Sequence, residues 1–177
     1  MEQKTNRAIP WGSDLAVILL SILFVATNVA AGNLPPPEGR VILKVDGAIS
    51  NRNTDGAAHF DREMLKALGT TTIVTHTSWT DGAIRFEGVL ARSVMTAVGA
   101  SGKAVRAEAL NDYSSVIPLE EFRNHDVILA FAMDGKELTR RDKGPLWIIY
   151  PWDDNPDLKS PDRASYAVWQ LRRLTVQ

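Results

Sequence analysis

The feature that most constrains this chain is the shortness of its apolar runs. Beyond residue 39 each is cut off within about ten residues by Gly, Pro or an Asp-Gly pair. Arg40-Val-Ile-Leu-Lys-Val-Asp46 is β-branched and alternating and ends at Gly47, so it reads as a strand. Phe60 to Gly69 reads as a short helix, with Asp61 placed to cap it, Phe60 to staple onto Leu65 and Gly69 to stop it. Thr70 to Ser78 is rich in Thr and Val and is strand-like, running into an Asp81-Gly82 turn. Leu90, Val94 and Val98 share a helical face within Val89 to Val98, and Gly99 follows them. Further strands are expected over Ala104 to Leu110, Asp126 to Met133, Leu146 to Tyr150 and, once or twice, Tyr166 to Val176. Asp134-Gly135 should turn a hairpin. Many short strands with two or three short helices, and no β-α-β repetition, predict an α+β domain built on mixed, curved sheets.

The segment ahead of this pattern has a different character. Residues 1–31 read as a secretory signal, with Lys4 and Arg7 in a polar start, an apolar run from Leu15 to Val25, and a small-residue exit at Val29-Ala30-Ala31. The run is about half the roughly 20 residues needed to span a bilayer, so cleavage near Ala31 and a periplasmic location are expected. Residues 32–39 hold three consecutive prolines and read as a stiff spacer. Residues 40–177 then form one domain, long enough to bury a real core.

Composition removes several chemistries. The 20 basic and 21 acidic residues nearly cancel, so no basic face for nucleic acid is indicated. The chain has no cysteine, which excludes thiolate nucleophiles and thiolate-bound metals. His59, His76 and His125 lack metalloprotease spacing, and neither a glycine-rich phosphate loop nor a nucleophile elbow is present. Asp153, Asp154, Asp157 and Asp162 form an acidic stretch whose proline-rich spacing favours a solvated loop over a calcium site.

Three segments place polar residues where strands meet loops. In Thr75-His76-Thr77-Ser78-Trp79-Thr80-Asp81-Gly82, His76, Thr77, Trp79 and Asp81 could wall a flat polar heterocycle, the indole stacking and the polar groups meeting its ring nitrogens. The same residues could equally be a solvated edge strand with Trp79 in the core. Asn111, Asp112 and Tyr113 follow an apolar strand and either offer amide and carboxylate groups to a ligand or simply form an Asx turn. Arg140-Arg-Asp-Lys-Gly-Pro-Leu-Trp147 and the following Ile-Ile-Tyr150 are a charged loop entering a buried strand. Arg141 and Lys143 suit a phosphate or carboxylate, and Trp147 and Tyr150 would support the loop from beneath.

Taken in order, Leu110-Asn-Asp-Tyr113, Arg141-Asp-Lys-Gly-Pro-Leu-Trp-Ile-Ile-Tyr-Pro151 and Val168-Trp-Gln-Leu171 resemble the molybdopterin-binding domain of the sulfite oxidase type. The resemblance covers about Val41 to Val176 and implies that family's curved-sheet α+β fold with a pterin cleft lined by loops. Catalytic members carry a cysteine that ligates molybdenum in the strand leading into the segment similar to Thr75–Trp79. Here that stretch holds Thr, His, Thr and Ser, none of them an equivalent soft ligand. Similarity to small, exported, cysteine-free members implies a pterin-binding sensor without a molybdenum centre. Such a sensor would report to a membrane-bound receptor or to a cyclase or phosphodiesterase that sets cyclic-di-GMP levels. Two alternatives stand beside it: a molybdopterin oxidoreductase with a non-cysteine ligand, and an accessory subunit with a vestigial pocket.

Overall fold

The computed structural model describes residue 1 and residues 34–177. The expected signal segment falls, apart from Met1, outside the described residues. The spacer from Leu34 has no regular secondary structure and is tied to the domain by Leu34 N–H to Arg52 O at 3.2 Å and Asn53 Nδ2 to Pro35 O at 2.8 Å.

In chain order the strands are β1 (Leu43–Gly47), β2 (Ala57–Phe60), β3 (Thr71–His76), β4 (Ala83–Leu90) and β5 (Ala104–Ala109), then β6 (Ser114–Pro118), β7 (Ile128–Met133), β8 (Lys136–Glu137), β9 (Trp147–Ile149) and β10 (Leu171–Val176). The helices are α1 (Arg62–Ala67), α2 (Ala91–Ala97), α3 (Leu119–Asn124) and α4 (Pro161–Tyr166). One sheet has the order β2-β1-β10-β5-β6, and a second runs β3-β4-β7-β8 with β9 also on β7. Among the described residues only β1 and β10 pair in parallel, with Val45 opposite Leu174. This is the mixed-sheet α+β architecture that the short apolar runs require.

The core lies where the inward residues of both sheets meet the helices. Along β5 the apolar positions Val105, Ala107 and Ala109 are buried while Arg106 and Glu108 are only partly so. β7 has no such alternation: Ile128, Leu129, Ala130, Phe131 and Ala132 are all buried, because this strand is covered on both faces. Each large apolar side chain fully buried in this way contributes about 1.5–3 kcal/mol.

Local chemistry sets the helix ends. Asp61 caps α1, its Oδ1 accepting from Met64 N–H at 2.9 Å and its Oδ2 from Gly39 N–H at 2.7 Å. Those backbone hydrogen bonds hold the Asp61 carboxyl below the usual carboxylate range. The helix starts at Arg62 rather than Phe60, since Phe60 pairs with Leu43 as the last residue of β2. Likewise α2 starts at Ala91, because Val89 and Leu90 pair with Leu129 and Ile128 as the end of β4. Helical spacing and a strand end overlap there. Asp134 and Gly135 both have positive φ, 47° and 75°, the backbone a tight hairpin turn needs, and they join β7 to β8.

At Gly88 the β4–β7 register shifts and the two backbones approach closely; an added Cβ would sit 2.7 Å from Ala130 Cα. Gly88→Ala should therefore destabilise the domain by about 1–3 kcal/mol. Urea unfolding of the two proteins checks this, and an unchanged midpoint would contradict the close approach.

Candidate functional site

The β3–β4 connection, residues 77–82, carries Trp79 to the meeting point of four indoles. Thr77 shapes this turn: its Oγ1 accepts from Trp79 N–H at 3.1 Å and lies 2.8 Å from Thr80 Oγ1. Trp79 meets Trp169 with ring centres 5.5 Å apart at 72°, and Trp147 at 6.1 Å and 67°, both edge-to-face. Trp152 lies 6.4 Å away. Trp147 is fully buried, packs edge-on against Phe86 at 5.4 Å and donates Nε1–H to Ala167 O at 3.1 Å. Trp79 keeps one part of its ring accessible because Trp147 occupies the core position beneath it.

Two cavities share that indole in their linings. One, of about 480 Å³, is lined by His76, Thr77, Ser78, Trp79 and Trp152, with Lys159, Ser160, Pro161 and Ala164 opposite. The other, of about 330 Å³, is lined by Trp79, Ala109, Asn111, Tyr113 and Trp169 together with residues 164–168 of the α4 region. Trp79 and Ala164 belong to both. The result is an apolar cleft with polar groups at its ends, in the size range of small-molecule sites.

The polar end at β3 is built around Asp153. Its Oδ2 accepts from the His76 backbone N–H at 2.9 Å and lies 2.7 Å from the His76 ring Nδ1. Its Oδ1 accepts from Lys159 Nζ at 3.2 Å, and its own N–H donates to the buried Thr75 Oγ1 at 3.1 Å. The hydrogen bonds from His76 hold this carboxyl at about 2, below the usual value. The carboxylate that meets His76 is thus Asp153, from the stretch expected to be only a solvated loop, and not the neighbouring Asp81.

The sequence-derived residues divide into three groups. His76, Thr77, Trp79, Asn111 and Tyr113 come together along the cleft. Trp147 and Tyr150 are fully buried behind it; burial pushes the Tyr150 hydroxyl well above the ordinary phenol range. Asp81, Asp112 and Arg141 are exposed and absent from the lining of both cavities, and Lys143 is also absent. Asp112 instead pairs with Arg172 at 2.9 Å, in a left-handed turn at φ 65°. Lys143 is likewise left-handed, at φ 68°, and places its ammonium 5.4 Å over the Trp147 ring. The loop is pinned by Gln170, whose N–H donates to Lys143 O and whose Nε2 donates to Arg140 O.

Sequence reasoning passed over Trp152, Asp153, Lys159, Ser160 and Ala164. Trp152 follows the recognised Tyr150-Pro151 directly, and an indole beside the Trp147 strand was the available signal. α4 gave none, because its contribution is a small residue, Ala164, at a position set by tertiary contacts. Tyr113 Oη donates to Ser165 O at 3.0 Å, and Arg163 forms a two-point ion pair with Glu121 at 2.9 Å for each contact, so α4 is clasped from both sides.

Fold and cleft together define a molybdopterin-binding, oxidoreductase-like domain. The sequence profile described as the oxidoreductase molybdopterin binding domain matches residues 57–153, more than half of the chain, and the protein belongs to that family. The match spans His76 to Trp79, Asn111 to Tyr113 and Arg141 to Asp153, but not α4 or β10. Among solved structures the chain is similar to the sulfane dehydrogenase SoxCD from Paracoccus pantotrophus. The TM-score is 0.55 at 20% identity, covering 82% of this chain and 40% of that one. At that identity the likeness is one of fold, and the chain spans two-fifths of that neighbour's length. A search of curated proteins finds no match.

The donor set does not fit a thiolate-bound molybdenum. The chain has no cysteine, and the cleft offers hydroxyls, one imidazole and an ammonium, hard or borderline groups rather than soft sulfur. The accessible indole and its polar flanks do fit a planar heterocycle.

Because the folded Asp153 carboxyl titrates below its ordinary value, its contribution to stability is complete above about pH 4 and is lost as pH falls toward 2. Tryptophan fluorescence should change across that window in the native protein, and the change should be smaller in Asp153→Asn. Identical acid profiles would contradict the His76–Asp153 tie.

Proposed function

We propose that this domain captures a pterin in the Trp79 cleft, without a cysteine-ligated molybdenum, and acts as a periplasmic sensor. The observation that carries the reading is the accessible indole of Trp79 shared by two cavities, in a molybdopterin-binding fold that lacks any thiolate. The ring stacks on Trp79 while His76 and Thr77 meet its polar edge on one side and Asn111 and Tyr113 on the other. Asp81, Asp112, Arg141 and Lys143 stand outside both cavities and are assigned no contact with the ring.

A signalling role is supported by the way the cleft is closed. α4 forms one wall and is held through Tyr113–Ser165 and Arg163–Glu121, so occupancy biases the position of a surface helix that a partner can read. Such a ligand shifts the equilibrium only as far as its affinities for the two arrangements differ. A membrane-bound receptor governing cyclic-di-GMP turnover is the partner implied by the family resemblance. The periplasmic location is supported by the signal-like pattern of residues 1–31.

Titration with tetrahydropterin, followed by tryptophan fluorescence, tests the binding reading. Trp79→Ala should weaken binding by about 1–3 kcal/mol, the range for stacking on an aromatic side chain, and Trp79→Phe by less. Circular dichroism verifies that both variants are folded. Unchanged affinity in a folded Trp79→Ala protein would count against the cleft as the site.

A further inference from the structure

We infer that Asp153 is a positioning residue that fixes the tautomer of His76, so that the imidazole presents a lone pair to the cleft and meets an N–H of the bound heterocycle. The inference rests on the pterin reading for its ligand and on geometry for its chemistry.

Asp153 Oδ2 lies 2.7 Å from His76 Nδ1 and 2.9 Å from the His76 backbone nitrogen. A carboxylate accepts hydrogen bonds and donates none. The backbone N–H fills one side of Oδ2, and Lys159 Nζ occupies Oδ1 at 3.2 Å, so the ionised form is stabilised at both oxygens. Nδ1 therefore carries the proton and donates it to Oδ2. In neutral imidazole one nitrogen donates and the other accepts, which leaves Nε2 as the acceptor. Nε2 has no hydrogen-bond partner among the described residues, and His76 lines the larger cavity beside Trp79.

The other side chains at that end of the cleft include no obligatory acceptor. Thr77 and Ser78 contribute hydroxyls that can act either way, and Lys159 only donates. His76 Nε2 is thus the group that distinguishes a ring edge bearing N–H from one bearing a bare nitrogen. The anchor is rigid on the protein side, since Asp153 N–H is itself held by the buried Thr75 hydroxyl. Asp153 touches no ligand in this account; it acts through His76.

Long-range nitrogen–proton correlation spectra of the ¹⁵N-labelled protein decide this without any ligand. In the neutral form of the ring, His76 Nδ1 should give the protonated, pyrrole-type signal and Nε2 the bare one. Asp153→Ala should move the population toward protonated Nε2. A native protein already protonated at Nε2 overturns the inference, whatever the variant does. Saturating tetrahydropterin should then shift the Nε2 signal, and the Asp153→Ala change should weaken its binding roughly two- to tenfold, the scale of one neutral hydrogen bond. Quenching of tryptophan fluorescence by tetrahydropterin with an unmoved Nε2 signal overturns the contact while leaving pterin binding intact. No quenching at all removes the pterin reading of the cleft and leaves the ligand-free spectra to decide the tautomer.

Discussion

The cleft depends on the burial of Trp147. This indole sits at the start of β9, wedged edge-on against Phe86, with its one polar atom satisfied by Ala167 O. Because it fills the core completely, Trp79 and Trp169 can pack only on its outer edges, at 6.1 and 6.4 Å. The half-buried indole of Trp79 is left with apolar area that a flat ligand can cover. The bond from Trp147 Nε1 also fixes the chain just beyond α4, so a single buried side chain sets both the floor of the cleft and the height of one wall.

The electrostatics follow the same division of labour. Charges close to the cleft are spent on architecture: Asp153 on the end of β3, Glu121 on Arg163, Lys143 on the Trp147 ring. What remains for a ligand is mostly neutral, comprising hydroxyls, an amide and one imidazole. Such a set recognises a heterocycle by its pattern of donors and acceptors rather than by charge. The Arg140–Lys143 run, prominent in the sequence as an anion-binding candidate, lies outside the two cavities beside Trp79, and Arg140 instead lines a separate cavity of about 490 Å³ with Arg40, Arg62 and Arg172. Lys143 is turned inward over an indole by its left-handed backbone, and the carbonyls of the loop serve Gln170.

The fold was legible in the sequence because strand signals are local. Alternation in Arg40–Asp46, β-branching in Thr70–Ser78 and the Asp134-Gly135 turn each state their own structure. The helix starts were misjudged by two residues where strand pairing won over helical spacing, at Phe60 and at Val89–Leu90. For the site, the residues that announce themselves by type, Trp79, His76, Asn111 and Tyr113, do meet along one cleft. The wall formed by α4 and the Asp153 anchor were invisible, because both depend on contacts distant in the chain: Asp153 meets β3 across 77 and 78 positions, and α4 is held to Tyr113 and Glu121 across 52 and 42. Asp153, Asp154, Asp157 and Asp162 are all exposed, as a solvated loop requires, and only the contact of Asp153 with the end of β3 is hidden from the sequence.

The missing cysteine is the feature on which the proposed pterin reading leans most, since a thiolate-bound molybdenum has no protein ligand here. The protein purified from its native host can be assayed for molybdenum by mass spectrometry and, after mild oxidation of the same sample, for released fluorescent pterin. The account predicts pterin with molybdenum far below one atom per chain. Stoichiometric molybdenum would contradict it.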